Sequence, residues 1–196
     1  MQEIFYEETA TIVDEEKAAR KYGLFKLISR ICYLIFAFYL IVQILFFVPN
    51  ENSVLLSAVV AFFPVVLFLS AAILFGKYKN TLYIEYDYTF ISGSVRVAKV
   101  IKHIKRISVI SFDTYNIEKL GYYNSDTYKK YELMLGVEKQ ILTQNLSPMD
   151  NKDFYYIVVN AGGQKNLLIF ECTEQFISNI LKFSNRTVLE ERSLKK

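Results

Sequence analysis

Between Arg96 and Arg106 the chain reads RVAKVIKHIKR, with five lysines or arginines, one histidine and no acid in eleven positions. Such a run can grip lipid headgroups, nucleic acid or an acidic protein, or it can be the solvated edge of a sheet. Anionic lipid offers about 1 kcal/mol per base near the surface. Arg96, Lys99, Lys102, Lys105 and Arg106 would therefore orient a domain that another segment already anchors. Nucleic acid fits less well, because stacking needs exposed aromatic rings, and most tyrosines here fall on sheet faces.

The remaining chemistry is sparse. His103 is the one histidine of the chain, and its basic neighbours weaken it as a general base. Glu85 and Asp87 are two apart on a predicted strand and so share a face. They could hold a cation or act as acid and base, although strand exteriors often carry acids. An enzyme built on His103, Glu85 and Asp87 requires that His103 lie within about 10 Å of an acid. Cys32 and Cys172 read as small hydrophobes. With no CxxC and a single histidine, no Cys/His zinc set can be assembled. No GxSxG, HExxH, P-loop or GxGxxG occurs. The expectation is a protein that is not an enzyme and uses no metal or cofactor. Asn145-Leu-Ser147, followed by Pro, and Asn185-Arg-Thr187 fall on the predicted cytoplasmic side and are not glycosylation signals.

The elements that must position the basic run are strands. TLYIEYDYTF alternates with period two, placing Leu82, Ile84, Tyr86, Tyr88 and Phe90 on one face and Tyr83, Glu85, Asp87 and Thr89 on the other. Ser92-Gly93 supplies a turn, and VRVAKVI resumes the alternation. The basic run itself reads two ways. As strands it gives about 95–101 and 104–112 around a short basic loop, which the β-branched residues favour. As a helix over 95–107 it puts Val97, Val100, Ile101, Ile104 and Ile107 on one side and the bases on the other, a membrane-surface pattern. RISVISF alternates, a tyrosine-rich irregular stretch follows, YELMLG predicts a strand, and ILTQNLSPMDNKD predicts a loop. FYYIVVN and KNLLIFEC form a hairpin about Gly162-Gly163. Thr173 is a natural N-cap, and Phe176, Ile177, Ile180, Leu181 and Phe183 give the following helix an apolar stripe, with Asn185 a plausible stop.

Ahead of these strands the pattern is different. Ile31–Val48 is eighteen residues without a charge and Val54–Phe75 is twenty-two. As helices they would measure about 27 and 33 Å against about 30 Å of hydrocarbon. Both are apolar all round, whereas a helix facing water needs a polar side. PNENS joins them tightly and carries no base, while Lys17, Arg20, Lys21, Lys26, Arg30, Lys77 and Lys79 lie on the outer flanks. The positive-inside rule predicts a multi-pass protein of the cell (inner) membrane with both termini cytoplasmic. Pro64 removes one helical hydrogen bond, which neighbours or Ser57 and Ser70 can repair. Asp14 can cap a helix that runs into the first span. MQEIFYEETA either docks on the later domain or frays.

With 53% hydrophobic residues and a mean hydropathy of +0.21, the chain is too apolar for disorder. Its net charge of +3 gives no argument of its own for nucleic acid. The order of elements, carried by TLYIEYDYTFISGSVRVAKVI, IKRISVISF and FYYIVVNAGGQKNLLIFECTEQFISNILKF, resembles small bacterial membrane proteins in which a two-helix hairpin precedes a pleckstrin-homology-like (PH-like) domain. The resemblance implies a membrane α-helical hairpin plus an α+β unit, a PH-like antiparallel β-barrel capped by its C-terminal helix, on the cytoplasmic side. The residue pattern divides the chain into a cytoplasmic N-terminal segment 1–30, helical from about 14, a transmembrane hairpin 31–75 (31–48 and 54–75), a PH-like domain 80–185 and a polar tail 186–196. Phosphoinositide-binding PH domains carry bases beside the first β-turn. Taking Ile91–Ser94 as that turn leaves only Arg96 nearby, which argues against such a site. The reading is an interaction module whose partners are the bilayer, anionic headgroups or a protein. The alternative is an accessory subunit of a transport or export complex.

Overall fold

The computed structural model describes residues 3–48, 53–184 and 189. It divides into two units, Asp14–Tyr83 on one hand and Met1–Val13 with Ile84–Lys196 on the other.

In the first unit, helix α1 runs unbroken from Glu15 to Phe46 and α2 from Val54 to Tyr78. The Asp14 carboxylate accepts from the Lys17 amide, and Glu15 and Glu16 occupy the first turn, where the helix dipole favours acids. Both helices are long and apolar enough to cross a membrane. They meet through small and polar residues. The buried Ser29 hydroxyl donates to the Ala72 carbonyl at 2.8 Å, and a Cβ at Gly76 would come within 3.2 Å of the same oxygen. Tyr39 stacks on Phe68, and Phe25 packs on Phe75 and Tyr78. Helix α2 continues through Pro64. Ser57 and Ser70 donate to Val54 and Leu67, so neither of these bonds reaches the Val60 carbonyl that the proline leaves without a donor. Of PNENS, residues 49–52 lie outside the described residues.

The second unit holds two four-stranded sheets. The first has the order β1-β2-β3-β4, with β1 Phe5–Ala10, β2 Ile84–Ile91, β3 Ser94–Ile101 and β4 Lys105–Asp113. The N-terminal residues therefore dock. Antiparallel pairing sets Tyr6 opposite Phe90, Glu8 opposite Tyr88 and Ala10 opposite Tyr86. Residues 5–10 belong to the β unit rather than to one N-terminal segment 1–30, because their alternation completes an edge whose partner strand lies beyond the helices. This corrects the comparison with phosphoinositide sites as well. The Ile91–Ser94 turn is the second strand connection, and the first is the helical hairpin itself.

Lys102 and His103 have φ of 49° and 56°, the left-handed pair of a tight hairpin turn, so the basic run is strand–turn–strand and not a surface helix. A bulge at Val97/Ala98 shifts the register of β3 on β4.

The second sheet has the order β5-β7-β8-β6, with β5 Ile117–Tyr122, β6 Val137–Ile141, β7 Asp153–Ala161 and β8 Gln164–Cys172. Strand β6 lies parallel to β8. The strand expected at YELMLG is instead the end of a helix, α3, Asp126–Glu132. Ser125 caps it by accepting from the Tyr128 amide, and Tyr128 is buried against Tyr156, Val158, Leu167 and Ile169. Capping and the Tyr128 anchor outweigh the β-propensity of the following leucines. Gly136, at φ 80°, then turns the chain into β6.

The main core gathers Tyr88, Phe90, Val95, Val97 and Phe112 from the first sheet and Ile157, Val159, Leu168 and Phe170 from the second. The last helix, α4 (Glu174–Phe183), is capped by Thr173 and adds Phe176, Ile177 and Ile180. It ends before Asn185, which lies outside the described residues. So does the polar tail 186–196 apart from Leu189, which bridges to Leu120.

Candidate functional site

Strand register divides the basic run. Arg96 is paired with Thr89, and Arg106 with Val100 and through it Glu85, so both arginines lie on the outer face of the first sheet. Lys99 faces the other way beside Tyr86, as does Lys105 beside Ile101, and Lys102 and His103 form the turn. The five bases are not one continuous patch.

On the outer face the acids come first. Glu85 and Asp87 are buried, unlike the exposed strand acids that their alternation suggests. His103 Nδ1 lies 2.7 Å from Glu85. The Arg106 guanidinium donates to Asp87 and reaches Glu7 at 3.6 Å, while the Thr9 hydroxyl donates to Asp87 at 2.7 Å. His103 is thus within reach of an acid, and the pair needed for acid–base work is present. Yet both carboxylates already serve groups of their own sheet. The cluster ties β1, β2, β4 and the β3–β4 turn together across a face that would otherwise hold unpaired buried charge. Among the described residues no three His, Cys, Asp or Glu side chains are grouped to hold a metal. Cys32 and Cys172 are free and lie in different units. Burial pushes the Cys172 thiol well above its ordinary value, which keeps it protonated and inert.

A second constellation, centred on Glu171, has little sequence signal. Glu171 is an acid in the apolar run of β8, fully buried, on the side opposite the main core. The residues 142–152 wrap it. Thr143 donates to its carboxylate, as do the Asn145 side-chain amide at 2.8 Å and the Met149 backbone amide at 2.9 Å. These neutral donors supply the hydrogen bonds that a buried carboxylate needs. The same loop then holds both places where the chain leaves the β unit for the helices. Asn145 donates to the Thr11 carbonyl at 2.7 Å and accepts from the Val13 amide at 3.1 Å, and Gln144 accepts from the Ile84 amide at 3.1 Å. Lys152 adds a bond to the Thr9 carbonyl and an ion pair with Glu8, whose carboxylate also takes the Thr173 amide at the start of α4. Only the Asn, Asp and Pro of this loop show in the sequence; its partners Thr11 and Val13 are 130 or more residues away and invisible to local pattern.

With the strand order established, one comparison is decisive. A family model described as a bacterial PH-like domain (DUF6106) matches residues 2–190. The chain belongs to this family. The range of the DUF6106 match takes in β1, both helices and the β unit. No curated protein and no solved structure matches the chain.

Proposed function

We propose that this bacterial PH-like protein is a membrane-anchored, non-enzymatic interaction module, with its β unit and both termini on the cytoplasmic side. The observation that carries the reading is the pairing of β1 with β2 on either side of the apolar hairpin, Ala10 opposite Tyr86. A chain that leaves a sheet at Val13 and must rejoin the neighbouring strand at Ile84 has to come back to the side it left. Two spanning helices do this and one does not. The bases flanking the hairpin then assign that side to the cytoplasm. The unit so held is a PH-like β-barrel capped by α4. The insertion of the hairpin between two paired strands, and not at a flexible linker, favours a role in which the domain is kept at the membrane to bind a partner.

Reporter fusions to the full chain test this arrangement. Fusions at both termini are expected to report the cytoplasm, and an insertion in the 49–53 linker is expected to report the outside. Termini on opposite sides would overturn the reading. Gentle solubilisation followed by identification of what stays bound addresses the partner. A stoichiometric integral-membrane protein would instead support an accessory subunit of a transport or export complex.

A further inference from the structure

The β unit has one end at which the chain departs for the helices, and that end is unusually apolar at its tips. Strand register brings the parts together. Ile84 opens β2 and pairs with Ile101, the last residue of β3, so the turn 102–104 extends from the end at which β2 begins. Gln144 and Asn145 hold Ile84, Thr11 and Val13. Loop 142–152 and the β3–β4 turn therefore share this end. Ile104, at the tip of the turn, is 83% exposed, Leu146, beside Asn145, is 99% exposed, and Val13 is 62% exposed. Tight turns and loop tips ordinarily carry polar residues.

Bases predominate at this end. The stretch 96–106 contains no acid, and loop 142–152 carries one acid, Asp150, and one base, Lys152. The acids of the adjoining sheet face, Glu7, Glu85 and Asp87, are engaged by Arg106 and His103. Lys99, Lys102 and Lys105 also lie on or beside the turn.

We propose that this end is a bilayer-contact rim, in which Ile104 and Leu146 enter the interface of an anionic membrane while Lys99, Lys102 and Lys105 lie among its headgroups. The inference rests on the anchoring proposed above, and it names the surface by which the domain meets lipid. An exposed aliphatic tip framed by lysines suits the boundary between acyl chains and headgroups, where apolar burial and attraction to anionic lipid act together. Chain continuity supplies the occupant, since both connectors to the apolar helices leave from this end. Leu135 provides the contrast. It is 99% exposed as well, but it precedes β6, whose start pairs with Lys165 beside the Gly162-Gly163 turn, whereas loop 142–152 follows the other end of that strand.

The chain contains no tryptophan, so each single-tryptophan variant has one emitter. Ile104→Trp, Leu146→Trp, Leu135→Trp and Phe63→Trp would be placed in the full chain and reconstituted in nanodiscs with brominated lipid. The expected result is blue-shifted, bromine-quenched emission for Ile104→Trp and Leu146→Trp in anionic discs, a smaller effect in neutral discs, and unquenched, solvent-like emission for Leu135→Trp. Phe63→Trp, on an exposed position of α2, reports the hairpin. Quenching there with solvent-like emission at 104 and 146 would overturn the rim and leave the anchor standing. No quenching at Phe63→Trp would overturn both. Equal quenching in neutral and anionic discs would overturn the part assigned to the lysines.

Discussion

The helical hairpin and the β unit use the same residue types in opposite ways. In the β unit Phe170 and Leu168 are fully buried; in the hairpin Phe63 is 63% exposed and Leu55 is 80% exposed. Within the two helices only Ala18, Ser29, Val65 and Ala72 are buried among the described residues, with a close approach at Gly76. Beyond its apolar core the β unit buries three acids, Glu85, Asp87 and Glu171, each matched by donors, together with the neutral Thr114, Thr143, Asn166 and Asn179. An apolar side chain has no fixed preference for the interior; it avoids water. Helices that pair through small residues and a hydroxyl while presenting leucine and phenylalanine outward have the surface expected for an apolar medium. Where acids are buried with their hydrogen bonds satisfied, the medium outside is water and the interior has been built to replace it.

The sharpest way to break this contrast is to remove the same side chain from each region. Phe170→Ala is expected to cost the β unit about 3–5 kcal/mol. Phe63→Ala should leave unfolding of the β unit unchanged, as followed by near-ultraviolet circular dichroism in detergent. Equal losses would mean that the two regions share one core. Next in size, Glu171→Gln replaces an acceptor-only group with one that must point a donor at Thr143, Asn145 or the Met149 amide. The expected loss is about 1–3 kcal/mol, together with faster hydrogen exchange at Val13 and Ile84, the two sites that its loop secures. A stable variant with unchanged exchange would show that the loop is held by other means. In the hairpin the corresponding polar contact is weaker. Ser29→Ala is expected to weaken helix pairing by about 0.6 kcal/mol, the average for such bonds in membranes, measured by energy transfer between labels on the two helices.

The smallest effect concerns the corner between α3 and β6. There the hydrogen bond from Lys139, with a second from Tyr128, holds the Glu132 carboxyl below its ordinary 4.5. Its folded value is depressed, so its contribution is complete above about pH 4.5 and is lost as the pH falls through the lower folded value. The protection of α3 amides, relative to their intrinsic exchange rates at each pH, should fall in that acid range, and Lys139→Met should reduce the fall.

Much of this architecture was legible in local pattern, and the failures have a common cause. The two apolar helices, the hairpins about Ser92-Gly93 and Gly162-Gly163, and the stripe and Thr173 cap of α4 depend on residues within a few positions of each other. Strand β1 was ambiguous because its partner, β2, lies beyond the whole of the other unit, Asp14–Tyr83, and period-two alternation over six residues does not name a partner. YELMLG was misread because Ser125 and the burial of Tyr128 decide α3 from upstream. Strand β5 was hidden by its irregular register on β7, which breaks alternation between Ile117 and Lys119. In the candidate site, spacing placed Glu85 and Asp87 on one face and the bases nearby, but it could not show that Arg106 and His103 are committed to them. Glu171 gave only the signal of an acid in an apolar run, since all of its donors come from another loop.

The central claim is that the medium around α1 and α2 is hydrocarbon. Fractionating cells that make the untagged full-length chain tests it most directly. The chain is expected to stay in the membrane pellet through alkaline carbonate washing and to leave it only with detergent. Recovery from detergent-free buffer as a dispersed, folded monomer would contradict the account.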